Sequence, residues 1–75
     1  MEITFDPAKN AANVALRGLS FERVADFDFE TAIFAQDDRH DYGETRYRGL
    51  GFLDGRLHAL VFVELGVVSL CRKHG

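Results

Sequence analysis

Between Glu44 and Glu64 the chain reads E-T-R-Y-R-G-L-G-F-L-D-G-R-L-H-A-L-V-F-V-E, two runs rich in aromatic, apolar and β-branched residues on either side of Asp54-Gly55. Asp-Gly suits the positive φ angles of a type I′ turn, so the stretch predicts a β-hairpin. With a two-residue loop Leu53 faces Arg56, and the side chains sort onto two faces. One face takes Arg46, Arg48, Leu50 and Phe52 opposite Val63, Val61, Ala59 and Leu57; the other takes Thr45, Tyr47, Gly49, Gly51 and Leu53 opposite Glu64, Phe62, Leu60, His58 and Arg56. The first set is mostly apolar and is the expected buried face. On the second, the two glycines leave bare backbone beside His58 and Leu60 that another group can approach closely. Arg46 and Arg48 interrupt the apolar face, where an arginine is costly unless it is paired or reaches past the sheet edge. Such a break in pattern fits a functional site and fits equally an arginine snorkelling at the open end of the hairpin.

The rest of the chain builds outward from that hairpin. Glu2 to Phe5 is a short strand candidate with Ile3 and Phe5 on one face. Asp6-Pro7 reads as an N-cap followed by the first helical position, and Gly18 closes the helix after residue 17. Ala8, Ala11, Ala12, Ala15 and Leu16 form a stripe of small apolar residues expected to lie close to the sheet. Ser20 is a second N-cap, opening a helix to about Asp28 with Phe21, Val24, Ala25 and Phe27 or Asp28 as its apolar face. Thr31 to Ala35 is the next strand, and Asp37 to Gly43 a polar loop. After the hairpin, Leu65-Gly66 predicts a second tight turn and Val67 to Arg72 a last strand. With a two-residue loop Val68, Leu70 and Arg72 join the face of Arg46 and Arg48, while Ser69 and Cys71 join that of Tyr47 and His58. The predicted order is β-α-α-β-β-β-β, an α+β domain with two helices on one face of a mainly antiparallel sheet of four to five strands.

Composition narrows the class. Seventy-five residues make one small domain, and 47% apolar content with seven phenylalanines points to a packed core. The longest apolar run, Ala59 to Val63, is far shorter than a membrane span, and the N-terminus has no basic start followed by an apolar core, so a cytoplasmic location is expected. Cys71 has no intramolecular partner for a disulfide and reads as a buried, inert thiol. Residues 1–42 carry four Lys/Arg against nine Asp/Glu, whereas residues 43–75 carry five against three. The acidic half argues against a general nucleic-acid binder and leaves room for a small basic site in the C-terminal half.

No nucleophile elbow, phosphate loop, dinucleotide fingerprint or paired metal motif is present. Asp37, Asp38, His40 and Asp41 do not match a calcium loop, and a solvated loop is the expected outcome; neither metal nor cofactor is expected. What remains is Glu44, Arg46, Arg48, Arg56, His58, Arg72 and Lys73, in or beside the sheet. Groups of this kind can cut RNA: a base takes the 2′-hydroxyl proton, cations hold the phosphate, and an acid protonates the leaving oxygen. Glu44 or His58 is the candidate base and Arg46 and Arg72 the phosphate-holding pair. Edge protection and solvation are the ordinary roles of such residues, and His58 is equally an ordinary half-buried histidine.

Three segments carry a resemblance: I-T-F-D-P-A-K-N-A-A-N-V-A-L-R-G-L-S-F-E (Ile3 to Glu22), D-D-R-H-D-Y-G-E-T-R-Y-R-G-L-G (Asp37 to Gly51) and D-G-R-L-H-A-L-V-F (Asp54 to Phe62). Together they resemble the BrnT family over nearly the whole chain, with the opening F-D-P-x-K-x-x-x-N and the following G-x-S-F-E as its specific marks. The resemblance implies a toxin of a type II toxin-antitoxin module with a RelE-like ribonuclease fold, inhibiting translation by cutting RNA. It also implies a BrnA-like antitoxin as partner, through which alone the module contacts DNA, and a homodimer or a heterotetramer with that antitoxin. The family's E-x-R motif falls on Glu44 and Arg46 and its S-x-R-K strand on Ser69 to Lys73. Glu44, Arg46, Arg72 and Lys73 are therefore the expected catalytic residues, with Arg48, Arg56 and His58 binding RNA.

The chain departs from the family pattern in three places. Leu16-Arg17 stands where Lys-His is usual, the Ser69 to Arg72 spacing is one residue longer, and the family's basic C-terminal helix does not follow Lys73. Two readings follow: a metal-independent ribonuclease toxin, or a degenerate, truncated homologue that only binds its antitoxin or dimerises.

Overall fold

The computed structural model describes residues 3–38 and 43–74. Four strands, β1 (Ile33–Asp37), β2 (Arg46–Leu53), β3 (Arg56–Val63) and β4 (Gly66–Arg72), form one antiparallel meander in sequence order. An α-helix, α1 (Pro7–Arg17), and a 3-10 helix (Phe21–Asp26) precede the sheet. The fold is therefore α+β, as expected, with one α-helix instead of two. The N-terminal strand is reduced to a single parallel bridge between Phe5 and Val67, supported by Val67 N–H donating to Thr4 O at 2.9 Å; Glu2 lies outside the described residues.

Local chemistry explains the helix limits. Asp6 Oδ1 accepts from Ala8 N–H at 2.9 Å, Pro7 starts the first turn, and Gly18 ends α1 in the left-handed region at φ 70°. Ser20 Oγ accepts from Glu22 N–H at 3.2 Å, the expected second cap. The segment it opens winds as a 3-10 helix because its apolar residues, Phe21, Val24 and Phe27, recur every third position, and three residues per turn put all three in one line. All three are buried, whereas Ala25 is exposed. Arg23 ties this helix to the hairpin turn through an ion pair with Asp54, and it also pairs at 3.5 Å with Asp26 within the helix.

The hairpin register is the predicted one, Leu53 facing Arg56 and Tyr47 facing Phe62, with Asp54 and Gly55 both at positive φ. The buried face is not. Leu53, Leu60 and Leu70 enter the core with Phe21, Val24 and Phe27, so the sheet buries the face with Gly49, Gly51 and His58 and leaves open the one with Leu50 and Phe52. The reason lies in the glycines. A Cβ on Gly51 would lie 2.7 Å from Phe27 Cζ and 2.8 Å from Ala32 Cβ, and one on Gly49 2.6 Å from Phe34 Cε1. Ring-rich segments need depth, and only this face provides it. The bare backbone anticipated there is covered by the chain itself.

The second turn also differs by one residue. Val63 pairs with Gly66, so the loop is Glu64-Leu65, and a register shift between Val61 and Phe62 makes Val68 the extra residue of a bulge. Beyond it Val61 faces Ser69, Leu60 faces Leu70 and His58 faces Arg72. Leu70 and Arg72 therefore lie on the core face and Ser69 and Cys71 on the open face, the reverse of the expected phase. Cys71 is half-buried beside Ala59 rather than in the core.

Helix α1 lies alongside β4 and does not use its alanine stripe: Ala8, Ala11, Ala12 and Ala15 are exposed and Leu16 is 78% exposed. Its inward face is polar. Asn13, 7% exposed, donates to Leu70 O and Leu19 O at 2.9 Å each and accepts from Leu70 N–H at 3.4 Å, replacing a neighbouring strand at the β4 edge. Asn10 Oδ1, one turn earlier, accepts from Phe21 N–H at 2.7 Å and fixes the start of the 3-10 helix. No helix among the described residues is long and apolar enough to cross a membrane.

Candidate functional site

Because Asn13 fixes the roll of α1 against β4, its neighbours one turn away on the same side are fixed as well. Lys9 and Arg17 stand four residues before and after Asn13, so they project from one side of the helix about 12 Å apart along its axis. Between α1 and the open face of the sheet runs a cleft of about 290 Å³ lined by Lys9, Leu16, Arg17, Arg46, Val68 and Ser69. A second depression of about 340 Å³ shares Lys9 and Val68 with it and adds Asp6 and Glu44. The bulge residue Val68 thus forms part of the floor of both.

Arg46 is the first residue of β2 and Glu44 stands two residues before it. Glu44 Oε1 lies 3.7 Å from Arg46 Nη2, the carboxylate side chain 42% and the guanidinium side chain 23% exposed. The sheet register sets Asp37, 8% exposed, directly across from Arg46 on the same face. The guanidinium is consequently held half-buried and oriented, as a charge next to apolar strands must be. Lys9 and Arg17 form no ion pair among the described residues, and Arg48, between Ala35 and Val61 on the Arg46 face, forms none either. The cleft is therefore lined by three cations, Lys9, Arg17 and Arg46, and the adjoining depression brings up the carboxylates Glu44 and Asp6 beside Lys9. That set suits a phosphodiester with a proton to remove.

The other expected residues are elsewhere. Arg72 faces His58 on the core side, five rows from the Arg46 end of the sheet, about 17 Å along the strands at ~3.3 Å per residue. It does not converge with Arg46: its row lies at the far end of the sheet, and the bulge turns it to the core face as well. Lys73 sits one residue beyond β4, its N–H bonded to Leu57 O at 2.9 Å, at that same far end. Arg56 is exposed at the hairpin turn. His58, expected on the RNA surface, is 4% exposed and its Nδ1 donates to Arg56 O at 2.8 Å, so it is a core histidine. Of the residues expected to act together, the structure unites Glu44 and Arg46, with Arg48 on the same face.

Lys9 and Arg17 are the residues that sequence reasoning missed. The signal was present in the i, i+4, i+8 spacing of Lys9, Asn13 and Arg17, and it was masked by reading the alanines as the packing face. Arg39, His40, Asp41 and Tyr42 of the polar loop lie outside the described residues. Among the described residues no group of three or more His, Cys, Asp or Glu side chains could hold a metal ion.

A family model described as "Ribonuclease toxin, BrnT, of type II toxin-antitoxin system" matches residues 5–74. Neither the curated proteins nor the solved structures compared contain a match to the chain.

Proposed function

The chain belongs to the BrnT family of ribonuclease toxins of type II toxin-antitoxin systems, and on that premise we propose that the cleft between α1 and the open sheet face is where it cuts RNA, with the protein's own groups and no metal. The observation that carries this reading is the Glu44 carboxylate 3.7 Å from the Arg46 guanidinium, at the mouth of a cleft that Lys9 and Arg17 line.

In the proposed step Glu44 takes the 2′-hydroxyl proton and the 2′ oxygen attacks the adjacent phosphorus. The bond from phosphorus to the 5′ oxygen breaks, leaving a 2′,3′-cyclic phosphate on one product and a 5′-hydroxyl on the other, with Lys9 supplying the proton for that oxygen. Arg46 and Arg17 hold the non-bridging oxygens, where negative charge builds in the transition state. Arg72, Lys73 and Arg56, away from the cleft, follow the RNA strand beyond the scissile linkage, and His58 has a structural role. A RelE-like ribonuclease fold, inhibition of translation in the cytoplasm, and neutralisation by a BrnA-like antitoxin in a heterotetramer belong to the same reading; a helix beside a four-stranded antiparallel sheet supports it.

The test pairs growth on induction with cleavage of a defined RNA by purified protein in EDTA. Glu44→Gln and Arg46→Ala are each expected to lower cleavage about 10²- to 10³-fold and to relieve growth arrest while keeping the urea midpoint near wild type. Folded variants that cut as fast as wild type would overturn the assignment. A wild-type protein that cuts nothing yet binds its antitoxin would favour the binding-only alternative.

A further inference from the structure

Glu44 borders two depressions. Toward α1 it meets Asp6 and Lys9 in the one that shares Lys9 and Val68 with the cationic cleft. In the other it joins Thr45, Tyr47 and Glu64 around about 570 Å³, within the range of about 300–1,000 Å³ usual for small-molecule sites. The ring that this second depression presents is held in place. Tyr47 faces Phe62 across the β2–β3 ladder, and the two rings stack with centroids 5.6 Å apart and planes at 26°. Phe62 in turn meets Phe34 edge to face at 6.1 Å. Phe62 thus backs the tyrosine ring and limits its rotation, while Tyr47 stays 40% exposed.

Charge divides what the cleft and this depression can accept. The charged residues of the cleft are Lys9, Arg17 and Arg46, all cations, whereas those of the Tyr47 depression are Glu44 and Glu64, both carboxylates. Two carboxylates repel a phosphate, so the part of RNA that suits them is a neutral base carrying N–H donors. Glu64 is exposed in the turn between β3 and β4, and among the described residues it forms neither an ion pair nor a side-chain hydrogen bond. Both of its oxygens are therefore open to a ligand. Guanine offers N1–H and N2–H side by side on its Watson–Crick edge, which a carboxylate accepts as a pair. Uracil sets a carbonyl on either side of its one N–H, and adenine and cytosine set a ring-nitrogen acceptor beside the amino group. Each of these three brings lone pairs against the carboxylate.

We propose that the Tyr47 depression is a base-recognition subsite, in which the guanine on the 5′ side of the scissile linkage stacks on the Tyr47 ring and gives its N1–H and N2–H to the Glu64 carboxylate. RNA as the ligand rests on the nuclease reading; the base preference and the two residues that set it go beyond that reading. Glu44 lines both depressions, so a base seated on Tyr47 brings the 2′-hydroxyl of its own ribose toward the carboxylate that takes the proton. The phosphate then lies on the side of Lys9, Arg17 and Arg46.

The test uses the full chain and four 2′-O-methyl oligonucleotides, each with one unmodified ribonucleotide, G, A, C or U, so that a single linkage can be cut. Cleavage after guanosine is expected to exceed cleavage after uridine about tenfold or more in kcat/KM, and Glu64→Ala should bring that ratio to about threefold or less. Tyr47→Ala should lower kcat/KM at every base about ten- to a hundredfold, while Tyr47→Phe, which keeps the ring, stays within about threefold of wild type. Tyr47→Ala takes a ring from Phe62 and can unfold the chain; the base comparison on the unaltered protein and Glu64→Ala, in an exposed turn, do not depend on it. Guanosine 3′-monophosphate and uridine 3′-monophosphate, bound to the unaltered chain and followed by calorimetry and by NMR shifts of the Tyr47 ring, give a readout independent of cleavage. Equal rates at all four bases, a maximum at another base, or a guanosine preference that Glu64→Ala keeps would each overturn the subsite and leave the nuclease reading intact. Cleavage of none of the four, with the guanosine nucleotide still bound about tenfold tighter over Tyr47, would remove the nuclease and keep the subsite; neither cleavage nor a binding preference would remove both.

Discussion

Replacing Asn13 tests the contact on which the position of the cleft depends. In Asn13→Ala three hydrogen bonds disappear, and Leu70 N–H, Leu70 O and Leu19 O, at a buried edge, lose the partner that satisfies them. At about 1 kcal/mol net for each bond, and more where a buried group is left unsatisfied, the loss comes to roughly 2–4 kcal/mol. A chain of this size has a total stability of roughly 4–11 kcal/mol, so the variant should sit near the edge of folding. In urea, with a slope near ~1 kcal/mol per molar, the midpoint should fall by about 2 M or more. Asn13→Asp separates hydrogen bonding from packing, because it keeps the shape while presenting an acceptor to two carbonyl oxygens. Burial and those oxygens raise the folded-state pKa of the new carboxyl above its unfolded value. The variant's stability is therefore fullest at low pH and is lost as pH rises through that folded value. A midpoint for Asn13→Ala within about 0.5 M of wild type, or an Asn13→Asp variant with no added pH dependence, would refute the role of Asn13 as the substitute for a neighbouring strand.

Three further outcomes follow from single contacts. Gly51→Val puts a branched side chain where a Cβ alone would lie within 3.0 Å of Phe27 and Ala32, so the urea midpoint should drop by the equivalent of about 1–3 kcal/mol with an unchanged slope; a neutral result would show that the core gives way there. The Asp28 carboxyl, held below the usual carboxylate range chiefly by the Thr31 hydroxyl and further by backbone N–H groups of Thr31 and Glu30, contributes stability above its unfolded pKa that is lost as pH falls through the folded one. Asp28→Asn should thus be less stable than wild type at neutral pH and equal to it in acid, as urea midpoints against pH will show. Arg17→Ala should slow RNA cleavage about ten- to a hundredfold while its stability stays within about 1 kcal/mol of wild type, since Arg17 is exposed in the last turn of α1.

What was legible in the sequence is what a few adjacent residues determine. Asp6, Gly18 and Ser20 act at the caps where their types place them, and Asp54-Gly55 makes the predicted turn. What was not legible depends on a count or a partner distant in the chain. The hairpin leaves two faces to choose from, and the choice falls to Phe27 and Phe34, whose rings fit only over Gly51 and Gly49. The extra residue at Val68 then sends Arg72 to the core side and Ser69 to the cleft. No local pattern announces a bulge, since Gly66-Val67-Val68-Ser69 reads as an uninterrupted strand.

The same two events account for where the chemistry sits. Once the aromatic segments claim the glycine face, Arg46 and Arg48 are left on the open face, and their interruption of its apolar pattern is no longer a packing fault. Once Asn13 joins α1 to the β4 edge, Lys9 and Arg17, though exposed, stand beside the cleft that Arg46 lines. The F-D-P-x-K-x-x-x-N segment therefore combines two tasks on one helix: Asp6 and Asn13 fix its start and its roll, and Lys9, on the side so fixed, lines the cleft. A substitution at Asn13 that spares folding should for this reason still lower cleavage, by releasing Lys9 and Arg17 from their positions relative to Arg46. Purified Asn13→Ser, refolded and assayed below its urea transition, is the measurement: cleavage down about tenfold or more with binding of short RNA weakened agrees with this account. Unchanged cleavage would mean that Lys9 and Arg17 do their work without the helix being held, and the cleft would have to be redrawn around Glu44 and Arg46 alone.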